Sequence, residues 1–363
     1  MLNRRVLGGF SLVAMLCIGL LSSRADAASW STGASMGAMR SYHSAVVLPS
    51  GKVLVTGGSI DGYTPLNTAQ LYNPSSNTWT TASPMPTARI HHFSVLLGNG
   101  KVLVGGGASN GSSPLATVDL YDPSTDTWSA AASMSVPHHL GGAVRLWNGK
   151  VLVAGGWNGS ATQRAELYDP NTNTWAPVAS MLSRRERLTL TLLGNGKVLA
   201  TGGFDGLNFV SSAELYDPVS NTWVSAGSMR SPRQWHQALL LTNGKVLVAG
   251  GMKDNSITLS SADLYDPATN TWAPAASLLM PRRNFAFLLQ GNGHALVIGG
   301  GSTSGATATA ESYDPVQDAW SSAGTASAAH SMFGATMLPN GQAFVTAGVM
   351  GTGSATTDLY QWW

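Results

Sequence analysis

Apolar and polar positions along this chain follow one short pattern that returns at near-constant intervals. An apolar stretch leads to Lys-Val-Leu-Val-Thr-Gly-Gly at residues 52–58, and the same cadence recurs at 101–107, 150–156, 197–203 and 245–251. It persists in weaker form at 294–300 and at 342–348, where Ala347 takes the place of the first glycine. The closing glycines fall at 58, 107, 156, 203, 251, 300 and 348. A Leu-Tyr step follows each time, at 71–72, 120–121, 167–168, 215–216, 264–265 and 359–360, with Ser312-Tyr313 in the sixth unit. A tryptophan then closes the first six units: Trp79, Trp128, Trp175, Trp223, Trp272 and Trp320. Self-similarity at a fixed period identifies a repeat architecture, in which each unit buries its apolar surface against its neighbours.

Each unit reads as four short antiparallel strands. The first is the apolar run before the lysine, and tight turns such as Pro49-Ser50-Gly51 and Gly98-Asn99-Gly100 fold it onto the second. The third ends in Leu-Tyr, where Asp-Pro turns the chain because proline cannot continue a ladder; the fourth carries the tryptophan. Four-stranded units set around an axis make a β-propeller, so the predicted fold is all-β with seven blades. The units span about 38–86, 87–135, 136–182, 183–230, 231–279, 280–327 and 328–363. The last unit stops after its third strand. Ser29-Trp30-Ser31-Thr32 resembles a fourth strand, and Met36 matches Met85 and Met134, so residues 28–37 are expected to complete blade 7 and remove its open edge.

Composition narrows the setting. The chain of 363 residues has 42 glycines, only 10% charged residues and a net charge of +2, so nothing points to nucleic acid or an anionic membrane. Arg4 and Arg5, the apolar run 6–21 and Ala25-Asp26-Ala27 read as a signal peptide over residues 1–27, implying a secreted or periplasmic protein. The one cysteine, Cys17, lies inside that leader, without a lipoprotein cleavage box before it. The mature chain, residues 28–363, is then free of disulfides and thiolate chemistry, and no later run is long enough to span a bilayer.

The double glycine after an apolar strand, the tyrosine and the spaced tryptophan resemble the Kelch repeat, over essentially all of residues 28–363. The resemblance implies the propeller fold but not one function, because Kelch propellers serve as adaptors, sugar isomerases, oxidases and sensors. Galactose oxidase and its relatives share the fold and hold copper beside a tyrosine–cysteine crosslink. A mature chain without cysteine cannot build that cofactor, so no cofactor is expected and copper-radical oxidation is rejected.

Aligning the units on the lysine position exposes one uniform column twelve residues upstream: Arg40, Arg89, His138, Arg185, Arg233, Arg282 and His330. By the Kelch resemblance it would ring the mouth of the central channel and form a basic trap for carboxylate, sulfate or phosphate. The alternative is that each arginine bonds the carbonyls of its own turn. The next two columns vary, as a ligand surface would. The first holds Ser41, Ile90, His139, Glu186, Gln234, Arg283 and Ser331; the second holds Tyr42, His91, Leu140, Arg187, Trp235, Asn284 and Met332. Tyr42 and Trp235 offer flat faces, and Arg187 and Arg283 offer further cationic groups. Glu186, between Arg185 and Arg187, is expected to have a lowered pKa. The rim histidines are expected to add pH dependence to the basic ring rather than hold a metal. An acidic column before Leu-Tyr (Asp119, Glu166, Glu214, Asp263, Glu311 and Asp358, with Gln70 in blade 1) is too regular for anything but a structural role.

No catalytic motif is recognisable. The expectation is a binding propeller whose basic mouth takes an anionic glycan, peptide or small molecule, or a protein partner. Two alternatives stand beside it. One is a sugar-acid isomerase or mutarotase, a class implied by analogy with secreted Kelch mutarotases, with Glu186, His91 and His139 as acid–base groups. The other is a surface-adhesion or structural scaffold working through the outer blade edges.

Overall fold

The computed structural model describes residues 28–111, 113–348 and 355–362. The leader expected at residues 1–27 lies outside them.

The described residues form seven antiparallel sheets and no helix. In blade 1 the strands are Ser44–Val47, Val53–Thr56, Ala69–Asn73 and Thr78–Ala82, paired in sequence order from the axis outward. The innermost strands of successive blades touch around the ring, ending with Gly334–Met337 of blade 7 against Ser44–Val47 of blade 1. The second strands are the most apolar and are buried throughout, as in Val53–Thr56 and Val151–Ala154. They sit where a strand has neighbours on both edges and both faces. The core is therefore divided into separate layers between adjacent blades; one such layer joins Leu54, Ala69 and Met85 of blade 1 to Val102 and Tyr121 of blade 2.

The N-terminal strand closes the ring. Ser29–Gly33 pairs antiparallel with Thr357–Gln361, setting Trp30 opposite Tyr360. Trp30 thereby joins the tryptophan series. Its Nε1 donates to the Ala323 carbonyl of blade 6, just as Trp79 donates to Ala34 and Trp223 to Ala179 of the preceding blade. The tyrosine column is buried, and each of the first six hydroxyls donates to an Asn or Asp five residues on, for example Tyr72 to Asn77 and Tyr313 to Asp318. Those turn residues also accept backbone N–H groups from the neighbouring blade, as Asn77 does from Ala34 and Asp318 from Ala276. Gly58 is required for close approach: at its φ of +88° a Cβ would stand 2.5 Å from the Ser41 carbonyl oxygen.

Blade 6 departs from the pattern. Its third strand lengthens to Gly305–Asp314 and its fourth to Ala319–His330, with a two-residue strand, Gly301–Ser302, folded onto the third. The segment that elsewhere links blades is here part of the ladder, with Thr307 opposite His330.

Candidate ligand site at the channel entrance

The uniform basic column does not ring an open mouth. Arg89, Arg185, Arg233, Arg282 and His330 are fully buried, and Arg40 and His138 nearly so. Each guanidinium turns into its own blade and bonds the first carbonyl of the glycine pair, as Arg89 Nη1 does with Gly106 O at 3.0 Å. Its other amino group meets the acidic column: Arg89 with Asp119 at 2.7 Å, Arg185 with Glu214 at 2.9 Å, Arg233 with Asp263 at 2.7 Å, and Arg282 with Glu311. The two histidines copy this with two ring nitrogens. His330 Nδ1 lies 2.6 Å from Ala347 O and Nε2 lies 2.8 Å from Asp358; His138 reaches Gly155 O and Glu166 in the same way. Arg40 meets the neutral Gln70 at 3.2 Å. The trap expected at this column is therefore a set of internal ties. Burying a charge demands a partner, and every blade but the first supplies an anion.

The column eleven upstream is also largely buried, because it makes isolated β-bridges to the residue after the glycine pair: His139 with Trp157, Glu186 with Phe204, Gln234 with Met252. Arg283 of this column, half-buried, points Nη1 at Met252 Sδ, 3.0 Å away.

The column ten upstream is the one that faces the channel. Tyr42, His91, Leu140, Arg187, Trp235, Asn284 and Met332 all have positive φ, between 52° and 58°. The left-handed turn points their backbone groups around the ring. Tyr42 N–H donates to Met332 O, His91 to Tyr42 O, Arg187 to Leu140 O, Asn284 to Trp235 O and Met332 to Asn284 O. A non-glycine residue pays roughly 1 kcal/mol or more for this conformation. None of the seven is glycine, so the side chains are kept at some cost to the backbone.

Those side chains enclose two spaces along the axis. One, of about 340 Å³, is lined by His91, Leu140, Arg187, Trp235 and Asn284 and by the innermost strands of blades 3 to 5. The other, of about 200 Å³, is lined by Tyr42, His91, Trp235 and Met332. Tyr42 and His91 pack at a tilt of 47° with centroids 4.0 Å apart, and His91 lies 5.4 Å from His139. Arg187 is the charged group of this set. Its guanidinium carbon sits 5.1 Å from the Trp235 ring centroid, and Nη1 lies 2.7 Å from Glu186 and 3.2 Å from Gln234 Oε1. It keeps about a quarter of its side-chain surface exposed (27%).

Protonation follows burial. His91 is pushed down to about 3 by burial, with His139 and Arg187 adding to the shift, and His139 to about 4 by burial and Arg187. Both are neutral at physiological pH. Glu186 is raised rather than lowered: burial outweighs the Arg187 guanidinium, which corrects the sequence expectation. Two buried polar atoms here lack protein partners, Arg187 Nε and His139 Nε2. The same open Nε recurs on the buried Arg40, Arg89, Arg233 and Arg282, so it belongs to the repeat and does not by itself mark a ligand site.

The remaining histidines of strand one do not converge. His43 Nε2 accepts from Gly334 N–H of blade 7, His92 bonds Thr56 of blade 1, and His236 bonds Thr201 of blade 4. Each ties a different pair of adjacent blades, and each is held well below its usual pKa by burial.

The sequence matches the family profile described as the KLHDC2/KLHL20/DRC7 Kelch-repeats domain over residues 14–203, and the Kelch motif over residues 191–230 and 237–279. The chain belongs to the Kelch-repeat family. No curated protein is similar enough in sequence to match it. Among solved structures, this Kelch propeller is similar to one described as a novel fungal alcohol oxidase with catalytic diversity among the AA5 family, in complex with copper. The TM-score is 0.78 at 18% identity, covering 93% of this chain and 77% of that one, a likeness of fold. The copper donor set of such oxidases does not fit this Kelch chain. Their tyrosine–cysteine crosslink needs a cysteine, and the only one in this sequence, Cys17, lies outside the described residues. Kelch propellers are in general scaffolds for binding, and no described helix is long and apolar enough to cross a membrane.

Proposed function

We propose that this exported Kelch propeller binds a small anionic ligand, of the size of a sugar acid, at the channel entrance. The observation that carries the reading is Arg187. It alone among the channel-facing ring brings a positive charge to the larger space, and about a quarter of its side-chain surface (27%) stays exposed. A carboxylate there would meet the exposed part of a guanidinium already oriented by Glu186, Gln234 and Trp235. Trp235 gives a flat wall, and neutral His91 offers a donor or acceptor without a second charge. The space is at the small end of ligand sites, which favours a monomeric ligand over a glycan chain or peptide at this position. Export rests on the leader read at residues 1–27.

Titration calorimetry with glucuronate, galacturonate and inorganic sulfate tests the proposal. Arg187→Gln is expected to weaken binding by about ten- to a hundredfold, the worth of a hydrogen-bonded charge. Equal binding by the folded variant and the parent sinks it.

One observation favours a second reading, acid–base chemistry on the same ligand. Glu186, whose carboxyl is raised by burial and sits 2.7 Å from Arg187 of the entrance, is a group suited to proton transfer. Accelerated anomer exchange of a sugar acid, lost in Glu186→Gln, would establish it; an exchange rate equal to buffer would discard it.

A further inference from the structure

The end of the propeller opposite the channel entrance carries a feature that the repeat does not explain. Here the innermost strands turn back, and the first turn residue is Pro49, Gly98, Trp147, Gly194, Thr242, Gly291 and Pro339 in blades 1 to 7. A tight turn gains nothing from tryptophan. Yet Trp147 stands 68% exposed, over a groove of about 470 Å³ between blades 3 and 4. Its six-membered ring is seated rather than loose. A Cβ on Gly196, at the matching turn of blade 4, would fall 3.3 Å from Trp147 Cε3. The six-membered ring thus occupies the space beside Gly196 that a side chain there would need.

The rest of the groove is polar and of both signs. Lys197 and Asp217 form an ion pair at 3.1 Å along one wall, below Pro218 and the exposed Val219. Asn148 and Asn195 each use the side-chain oxygen to accept a turn N–H, from Lys150 and Lys197, which leaves their amide donors for the groove. The corresponding groove between blades 1 and 2 has the same parts (Asn99, Lys101 paired with Asp122, and Pro123), but Pro49 stands where the indole would be. The fold therefore supplies the groove, and blade 3 adds an aromatic platform to it.

We propose that this groove is a second binding site, which takes one face of a neutral pyranose ring against Trp147. The axial C–H face of a sugar carries positive edges that suit the negative face of an indole. Its hydroxyls both donate and accept, so they can meet amide N–H groups, an ammonium and a carboxylate together. A purely apolar partner would bury Lys197, Asp217 and both amides without replacing their bonds to water, at a cost for each. An anionic ligand would gain little from a lysine already neutralised by Asp217. The site is independent of the channel entrance, on the other face of the disc.

The test is saturation-transfer NMR and calorimetry with linear β-1,4-glucan, α-1,4-glucan and β-1,4-linked N-acetylglucosamine oligosaccharides on the intact protein. At least one is expected to bind saturably, about tenfold or more weaker in Trp147→Gly. That substitution repeats the Gly-Asn-Gly turn of blades 2, 4 and 6, so the fold tolerates it. Trp147→Tyr, which keeps a flat face, should retain most of the affinity, and Arg187→Gln should leave it unchanged. Absence of binding across the panel overturns the proposal, as does binding that survives Trp147→Gly. A Trp147-dependent dimer without sugar binding also overturns it, by assigning the patch to a second copy of the chain.

Discussion

The imidazole of His91 lies 6.1 Å from the indole of Trp235, although the two residues belong to blades 2 and 5. Side chains from non-adjacent blades thus meet at the axis, and the entrance is a filled ring with small spaces beside it. This geometry, and the buried ties behind it, lead to the following expectations.

The ring residues tolerate glycine better than a β-branched side chain. At the φ of +52° found for His91, an isoleucine is sterically disfavoured and glycine is not. His91→Ile should cost roughly 1–2 kcal/mol of stability and His91→Gly clearly less. Urea unfolding of the two variants decides this; an equal loss in both would show that the side chain, not the backbone, sets the cost.

Breaking one buried tie should cost more than removing it whole. Asp119→Ala leaves Arg89 buried without its anion and should lose about 3–5 kcal/mol. Arg89→Met with Asp119→Leu removes both charges and should lose less than the single change. If the double variant is the less stable of the two in denaturant unfolding, the ties are net sources of stability.

Acid should destabilise the propeller well before most carboxylates titrate. His43 and His236 are held at about 3 by burial, against about 6.5 in the unfolded chain. A lowered histidine pKa means that the unfolded state binds the extra proton, so stability is full above pH 6.5 and falls as the pH drops toward 3. Each such histidine removes up to about 1.4 kcal/mol per pH unit within that window. Melting temperatures at pH 7, 6, 5 and 4 should decline steadily, and His236→Gln should shallow the slope. A flat profile from pH 6.5 to 4.5 would contradict the burial argument.

Ligand binding at the entrance, by contrast, should be nearly constant between pH 5.5 and 8. His91 and His139 stay neutral across that range, at about 3 and about 4. This reverses the expectation that rim histidines make the site pH-dependent. Calorimetry at both ends of the range checks it, and a tenfold change in affinity would refute it.

Trp30→Ala should loosen ring closure. It removes the contact with Tyr360 and the bond to Ala323 O, for a loss of about 2–4 kcal/mol. Hydrogen exchange should quicken selectively in Thr357–Gln361, whereas a uniform change across all blades would mean that closure is not local.

The sequence carried the architecture because each blade repeats the same inter-blade contacts. The tryptophan column, its N-terminal member Trp30 and the tyrosine column sit where the period places them. The basic column was legible as a set and misread as a site. Spacing locates a residue along the strand but does not say whether its side chain turns into the channel or into the blade. The needed signal was the matching acidic column: Arg89 and Asp119 stand thirty residues apart, as do Arg233 and Asp263. A charge that recurs with its counter-charge at fixed separation describes a pair, not a trap. The channel-facing column was legible from its chemical variety. Its left-handed backbone was not, because Tyr42, Leu140, Trp235 and Met332 carry no preference for positive φ. The raised Glu186 was missed because neighbouring arginines are visible in sequence and burial is not.

The left-handed ring also separates three tasks along three consecutive residues. The first is locked inside the blade, the second bridges to the neighbouring loop, and only the third reaches the axis. Its backbone shape is imposed by the two residues before it and by the adjacent blades, not by its own identity. Seven sockets of one shape therefore accept different side chains without reshaping the disc. Selectivity in this propeller can drift, or be engineered, by exchanging plugs in a fixed rim.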